Sequence, residues 1–314
     1  MTYGLVLALI GRETPLVLSG RDYSNICALR TLLRDGRACD GPAVRKCLSC
    51  ARQEYGPVGA VVGVSAVLGQ RRLLARRINA LQSCSGFMQQ TLHKHLLGSR
   101  DLSRLAADVV IPDYRTTGTS TTESCDSLPD EPYILFVGAL RKIKGIHVLF
   151  AAYERLDNPP PLVLIGTASN DSLPPLPRGA VLLGSRSHGQ VMAAWKGALF
   201  GVAPSTLPEP LGNVIHEAMS IGRPVIGTVP SGQTEMISHD ENGLLVPSGD
   251  ALALEKAMRR LIDDPDLRER LGRAAPTAAA RFTEDVQLPR FSRLLEDVSA
   301  PPKVIIVTSN GERT

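Results

Sequence analysis

Between Tyr133 and Ile262 the chain alternates short, unbroken apolar runs with stretches of mixed polarity. The runs are Tyr133–Val137, Pro161–Ile165, Ala180–Leu183, Leu199–Ala203, Pro224–Gly227 and Leu244–Val246, and the first four are followed by Gly138, Gly166, Gly184 and Pro204. Short runs with no polar residue at alternate positions suit strands buried on both faces. The stretches Gly145–Leu156, His188–Gly197, Gly212–Ile221 and Ala251–Ile262 carry apolar residues at helical spacing, with Asp250 at an N-cap position. Asp264–Pro265–Asp266 ends the last of these helices and starts another. Strands alternating with helices predict a parallel sheet covered on both faces, with ligands beyond the carboxyl ends of its strands.

The first part is less regular. Pro15–Leu18 and Val58–Val64 are predicted strands, and Ile78–Gly98 holds a short run followed by a helix. That is too few strands for a complete doubly wound domain. Residues 114–132 are almost all polar and have no period, which marks a linker. The predicted division is a partial domain over 1–113, the linker 114–132, a complete α/β domain over 133–300 and a tail 301–314. Lys303–Thr308 in the tail is a further strand candidate.

Charge changes this picture only locally. The net formal charge is +4, and residues 1–130 hold 16 basic against 11 acidic side chains. Arg71, Arg72 and Arg76 lie within Gln70–Arg77, where they suit either a solvated helix face or contact with anionic lipid. Aromatics are only 4% of the chain, too sparse for a nucleic-acid stacking surface. No apolar run reaches the ~18–20 residues of a membrane span. Apolar Gly4–Gly11 has no basic residue before it, so a signal peptide is not expected. The expected location is cytoplasmic, with peripheral contact at the inner face of the membrane.

Candidate chemistry concentrates in Ser205–Ile226, which reads strand end, loop, helix, strand. Glu209 lies in the loop, Leu211 leads to the first helical turn at Gly212, Asn213 and Val214, and Glu217 lies inside the helix. A helix N-terminus offers free N–H groups and a favourable dipole to a diphosphate. Glu217 is placed to accept hydrogen bonds from a ribose diol, and Glu209 to hold the hydroxyls of a transferred sugar. A capped helix with two surface glutamates fits the same residues. After the first strand of this domain, Gly138 and Gly145 bracket Arg141, Lys142 and Lys144, a pattern suited to clamping phosphate. Ser231–Glu235 forms another strand-to-helix turn.

In this order and spacing, these motifs over residues 131–298 resemble the donor-binding domain of GT-B glycosyltransferases of family four, the glycosyl transferases group 1. The shared features are Glu209 and Glu217 with seven residues between them, Gly138…Lys144-Gly145, and Gly232…Glu235. The resemblance implies two Rossmann-like domains, the first incomplete here. It implies a nucleotide-diphospho-sugar donor, a glycan or lipid-linked acceptor, retention of anomeric configuration and no required metal. Lys144 and the amides of residues 212–214 would hold the diphosphate, Glu217 the ribose and Glu209 the donor sugar. The family's clamp arginine aligns with Ala139, and Arg141 stands two residues on. Arg21-Asp22-Tyr23…Cys27 resembles a family loop with arginine in place of a histidine; Arg21 can stabilise phosphate charge but carries protons poorly.

The resemblance places the chain in polysaccharide or glycolipid synthesis, with Glu209, Lys144 and Arg21 as candidate catalytic residues. It also implies that the opening strand and Gly-rich loop are missing, leaving room for a partner chain that supplies them. A non-catalytic sugar-nucleotide-binding protein, or one half of a two-chain enzyme, is the alternative. Cys27, Cys39, Cys47 and Cys50 lie close together in sequence. A structural zinc site, reduced thiols and two disulfides all remain open for them. The run Cys39–Cys50 resembles a loop found in some members of the same family.

Overall fold

The computed structural model describes residues 14–114, 123–168 and 173–299. Residues 115–122 of the predicted linker, the tail with Lys303–Thr308, and Gly4–Gly11 lie outside the described residues.

The first part contains β1 (Val17–Gly20), a small hairpin of β2 (Leu33–Arg34) and β3 (Arg37–Ala38), and α1 (Val44–Arg77). It continues through β4 (Ala80–Ser83), α2 (Gly86–His95), α3 (Ser99–Leu102) and β5 (Ala107–Val110). A parallel three-stranded sheet runs β1-β4-β5. Val58–Val64, predicted as a strand, lies inside α1. Its β-branched run reads as strand locally, yet Val58, Val61 and Val62 are exposed while Ala60 and Val64 are buried, a helical pattern. Gly56, at φ 69°, breaks α1 immediately before Pro57. Both arms of α1 meet in a small cluster that joins Ala51 to Ala60 and Val64. α1 is also long and apolar enough, by length and composition, to cross a membrane. Single glycines and a serine interrupt its apolar run, which hid this from the sequence reading.

The second part follows the predicted alternation closely. Its strands are β6 (Tyr133–Val137), β7 (Leu162–Ile165), β8 (Ala180–Gly184), β9 (Ala198–Val202), β10 (Val225–Val229) and β11 (Leu244–Pro247). They form one parallel sheet in the order β11-β10-β9-β6-β7-β8. Its helices are α4 (Ile146–Tyr153), α5 (His188–Gly197), α6 (Asn213–Ser220), α7 (Ala251–Asp263), α8 (Pro265–Ala279) and α9 (Glu284–Ser299). Alternate residues of the central strands feed opposite cores. Leu135, Val163 and Ile165 join one cluster, while Ile134, Phe136, Leu162 and Leu164 join the other. Each such buried side chain stabilises by roughly 1.5–3 kcal/mol. Asp250 caps α7 through the Ala253 N–H, and Asp264 caps α8 through the Leu267 N–H.

The first core cluster is shared by both sheets, running from Leu18 and Tyr23 to Met236 and Ile237. α9 returns to the first sheet. Its Leu294 and Val298 pack with Ala80 and Ile111, and Arg290 donates to the Val110 carbonyl at 2.8 Å. The two sheets thus face each other with a cleft at their strand ends.

Candidate functional site

Glycines shape the floor of the cleft. Gly145, at φ +76°, precedes α4, and a Cβ there would stand 1.8 Å from the Pro204 carbonyl oxygen. That contact brings the basic turn of β6 against the end of β9. Gly232 is equally constrained: a Cβ would lie 1.9 Å from the Pro210 oxygen. Its N–H donates to the Glu209 carbonyl at 2.6 Å, which fixes the loop carrying Glu209.

The cleft encloses about 360 Å³. Its second-domain wall includes Gly138, Ala139, Lys144, Ser205, Glu209 and the start of α6 from Leu211 to Val214. Lys144 Nζ lies 2.6 Å from Glu209 Oε1, and the Ser205 hydroxyl donates to the same oxygen at 2.6 Å. Glu209 is buried, so its charge is met by a cation and a hydroxyl inside the protein. Gly212 is the N-cap of α6 in a left-handed conformation and supplies no side-chain cap. The first turn of α6 therefore faces the cleft with its backbone.

The first-domain wall contributes Arg21, Cys84 and Asp113. Arg21 Nε lies 3.1 Å from Asp113 Oδ1. Burial, and then Asp113, push the Cys84 thiol up to about 12, so it is protonated at neutral pH. Tyr23 is buried, and its hydroxyl donates to the Pro208 carbonyl. Burial, then Glu209, raise the Tyr23 pKa well above its ordinary value, so it stays a donor. The Ser85 hydroxyl donates to the Pro210 carbonyl, and the Gly86 N–H donates to Glu235 Oε1 at 2.9 Å. Residues 208–210 and 235 are therefore held from the opposite domain.

Of the residues read from the sequence, Arg21, Gly138, Lys144, Glu209, Leu211, Gly212, Asn213 and Val214 come together around this cleft. Glu217 and Arg141 do not line it. Glu217 is buried one turn further into α6, 3.6 Å from His188 Nε2 at the start of α5. Arg141 is the N-cap of the 3-10 turn Lys142–Lys144, while Ala139 reaches the cleft wall.

Cys27, Cys39, Cys47 and Cys50 are free thiols. No group of three or more His, Cys, Asp or Glu side chains among the described residues is close enough to hold a metal. The geometry thus does not assemble the four-thiolate zinc set. Cys39 instead points at Asp40 and the Gly41 carbonyl, and Cys47 accepts from the Ala43 N–H at 3.4 Å.

Sequence reasoning missed Asp113 and Cys84. Each follows a strand of the first sheet, β5 and β4 respectively, where the strand-end rule would have found them. The four residues of β5 carry no strand signal beyond their two valines, and Asp113 stands in the sequence only as the end of the first domain.

Residues 123–278, just under half of the chain, match the family model of glycosyl transferases group 1. D-inositol 3-phosphate glycosyltransferase of Xylanimonas cellulosilytica is 32% identical over 185 residues, 56% of this chain and 44% of that protein. LpsE of Rhizobium meliloti, a lipopolysaccharide core biosynthesis glycosyltransferase, is 30% identical over 197 residues, 59% of this chain and 57% of that protein. The chain therefore spans about half the length of these relatives. The structure of HepE from Anabaena in complex with UDP superimposes with a TM-score of 0.66 at 19% identity, covering 94% of this chain and 75% of that one. The fold is that of the GT-B glycosyltransferases, with a partial first domain and a six-stranded second domain.

Proposed function

We propose that the chain is a retaining glycosyltransferase that takes a sugar from a nucleotide diphosphate. The observation that carries this is the pair of half-buried Lys144 and buried Glu209 beside the uncapped start of α6, all at the carboxyl ends of β6 and β9. Lys144 and the amides of Gly212, Asn213 and Val214 bind the diphosphate and stabilise the charge that develops as it leaves. Glu209 accepts hydrogen bonds from the donor sugar. Glu217 accepts from the ribose, with His188 beside it. Arg21 meets the leaving group from the first-domain wall, held at its angle by Asp113. Lysine and helix N-terminus together answer the phosphate charge, so no metal is required.

The base is uracil in this reading, because HepE has been solved with UDP and with UDP-glucose. The acceptor is a glycan or a lipid-linked glycan, in keeping with the lipopolysaccharide role in the name of LpsE. Calorimetry with UDP, GDP and ADP, beside the Glu217→Ala variant, tests the donor site. UDP binds, and the variant binds it more weakly; no binding by any of the three removes the proposal. NMR of the product then reads the anomer, and an inverted product refutes retention. Chelator in the assay leaves turnover unchanged. Slow release of nucleotide without acceptor separates an enzyme from a protein that only binds the donor.

A further inference from the structure

A second cleft, of about 390 Å³, opens on the first domain between residues 42–44, the carboxyl-terminal part of α1 and the segment after α2. It shares no wall residue with the donor cleft. Its charged lining is unbalanced. Arg71, Arg72 and Arg76 face one carboxylate, Asp101, which already caps the Gly98 N–H at 3.0 Å and lies 3.6 Å from Arg104. None of the three arginines has an ion pair among the described residues, and Arg71 Nε is buried without a hydrogen-bond partner. Buried guanidinium N–H groups are costly to leave unmet. Leu68, Ala75 and Leu96 make the remaining wall apolar.

The outer face of α1 continues from this cleft. Positions 58, 62, 65, 69, 72 and 76 are spaced four and three apart and so fall on one helix face. Along that face Val58 is 76% exposed and Val62 64%, with Val61 beside them at 55%, and the line ends in exposed Arg72 and Arg76. The face is about 27 Å long at 1.5 Å per residue. One end is apolar and the other cationic. Valines with this exposure cost free energy in water, and arginines without acids repel one another. Both are relieved together where hydrocarbon lies beside phosphate.

We propose that this face docks on an anionic lipid bilayer, with a lipid phosphate in the Arg71–Arg72–Arg76 cleft and Val58, Val61 and Val62 at the acyl boundary. A positive surroundings supports it: His95 is driven below its ordinary pKa by burial and then by Lys94, Arg71 and Lys46. A soluble phosphate would leave the valines exposed. A second copy would leave the arginines without anions. Docking needs no turnover, so it stands apart from the transferase reading.

The test is co-sedimentation of the full chain with vesicles of phosphatidylcholine, with and without phosphatidylglycerol. Each arginine near an anionic surface is worth about fivefold in partition, so three give roughly a hundredfold preference for anionic vesicles. The preference falls when salt is raised from about 0.1 M to about 1 M, as the screening length drops from ~10 to ~3 Å. The variant with Arg71→Gln, Arg72→Gln and Arg76→Gln loses the preference. The variant with Val58→Ser, Val61→Ser and Val62→Ser binds both vesicle types at least about tenfold more weakly. If the arginine variant fails to fold, the exposed pair Arg72→Glu and Arg76→Glu replaces it. Equal partition on neutral and anionic vesicles overturns the proposal. So does thermal stabilisation by inorganic phosphate with no vesicle binding, which would mark a soluble phosphate site. A dimer in sedimentation that the valine variant abolishes, again with no vesicle binding, overturns it as well.

Discussion

The two walls of the cleft at the strand ends are built differently. On the second-domain side, Lys144 and Glu209 meet at 2.6 Å, and Ser205 and the Gly232 N–H brace the same loop from behind. On the first-domain side, Arg21 and Asp113 meet at 3.1 Å, but the Arg21 side chain is 58% exposed and no second donor on Asp113 is recorded among the described residues. One wall is fixed before any ligand arrives. The other is a single pair whose arginine is largely in solvent, so a ligand can reorganise the Arg21 side of it at little cost. The braced wall is suited to the invariant part of the chemistry, the nucleotide diphosphate. In the proposed reaction the looser wall brings Arg21 to the same diphosphate and can adjust to whatever accepts the sugar.

The sharpest way to break this contrast is Lys144→Ala. Removing a preorganised cation from the leaving diphosphate lowers kcat by about 10²–10³-fold in a turnover assay. A drop of less than tenfold would mean that the braced wall does not carry the charge. Glu217→Ala, which deletes a carboxylate acceptor, weakens nucleotide binding by roughly 10- to 100-fold in calorimetry. Gly232→Ala drives a Cβ into the Pro210 carbonyl and costs about 1–3 kcal/mol. It lowers Tm by several degrees and loosens Glu209 with it. Asp113→Asn has the smallest effect, below about fivefold in kcat, because a pair whose arginine is 58% exposed contributes ~1 kcal/mol or less. A larger loss from Asp113→Asn than from Lys144→Ala would invert the comparison. Cys84, on the same loose wall, stays protonated at pH 8, so iodoacetamide leaves it unmodified in the native protein; mass spectrometry reads this directly.

The braced wall was also the legible one. Its strands are continuous apolar runs ending in glycine or proline, and its helix starts carry Gly145, Gly212 and Asp250 in sequence beside the residues they position. Signals of that kind are local, and a single pass along the chain collects them. The looser wall depends on distant partners. Arg21 and Asp113 are 92 positions apart, and nothing near either residue announces the other. The strand β5 that delivers Asp113 has four residues and no flanking glycine. α1 was misread for the opposite reason. Its valines give a strong local strand signal, and only the burial of every third or fourth residue along the folded helix identifies it as one.

The loop 208–210 has one further consequence. Tyr23 and Ser85 grip its carbonyls from one domain, and Gly232 grips it from the other. Glu209 therefore sits on a peptide stretched between two bodies. Any swing that widens the cleft tugs on the very residue proposed to hold the donor sugar. In the proposed reaction, letting go of product and disarming the site become one motion.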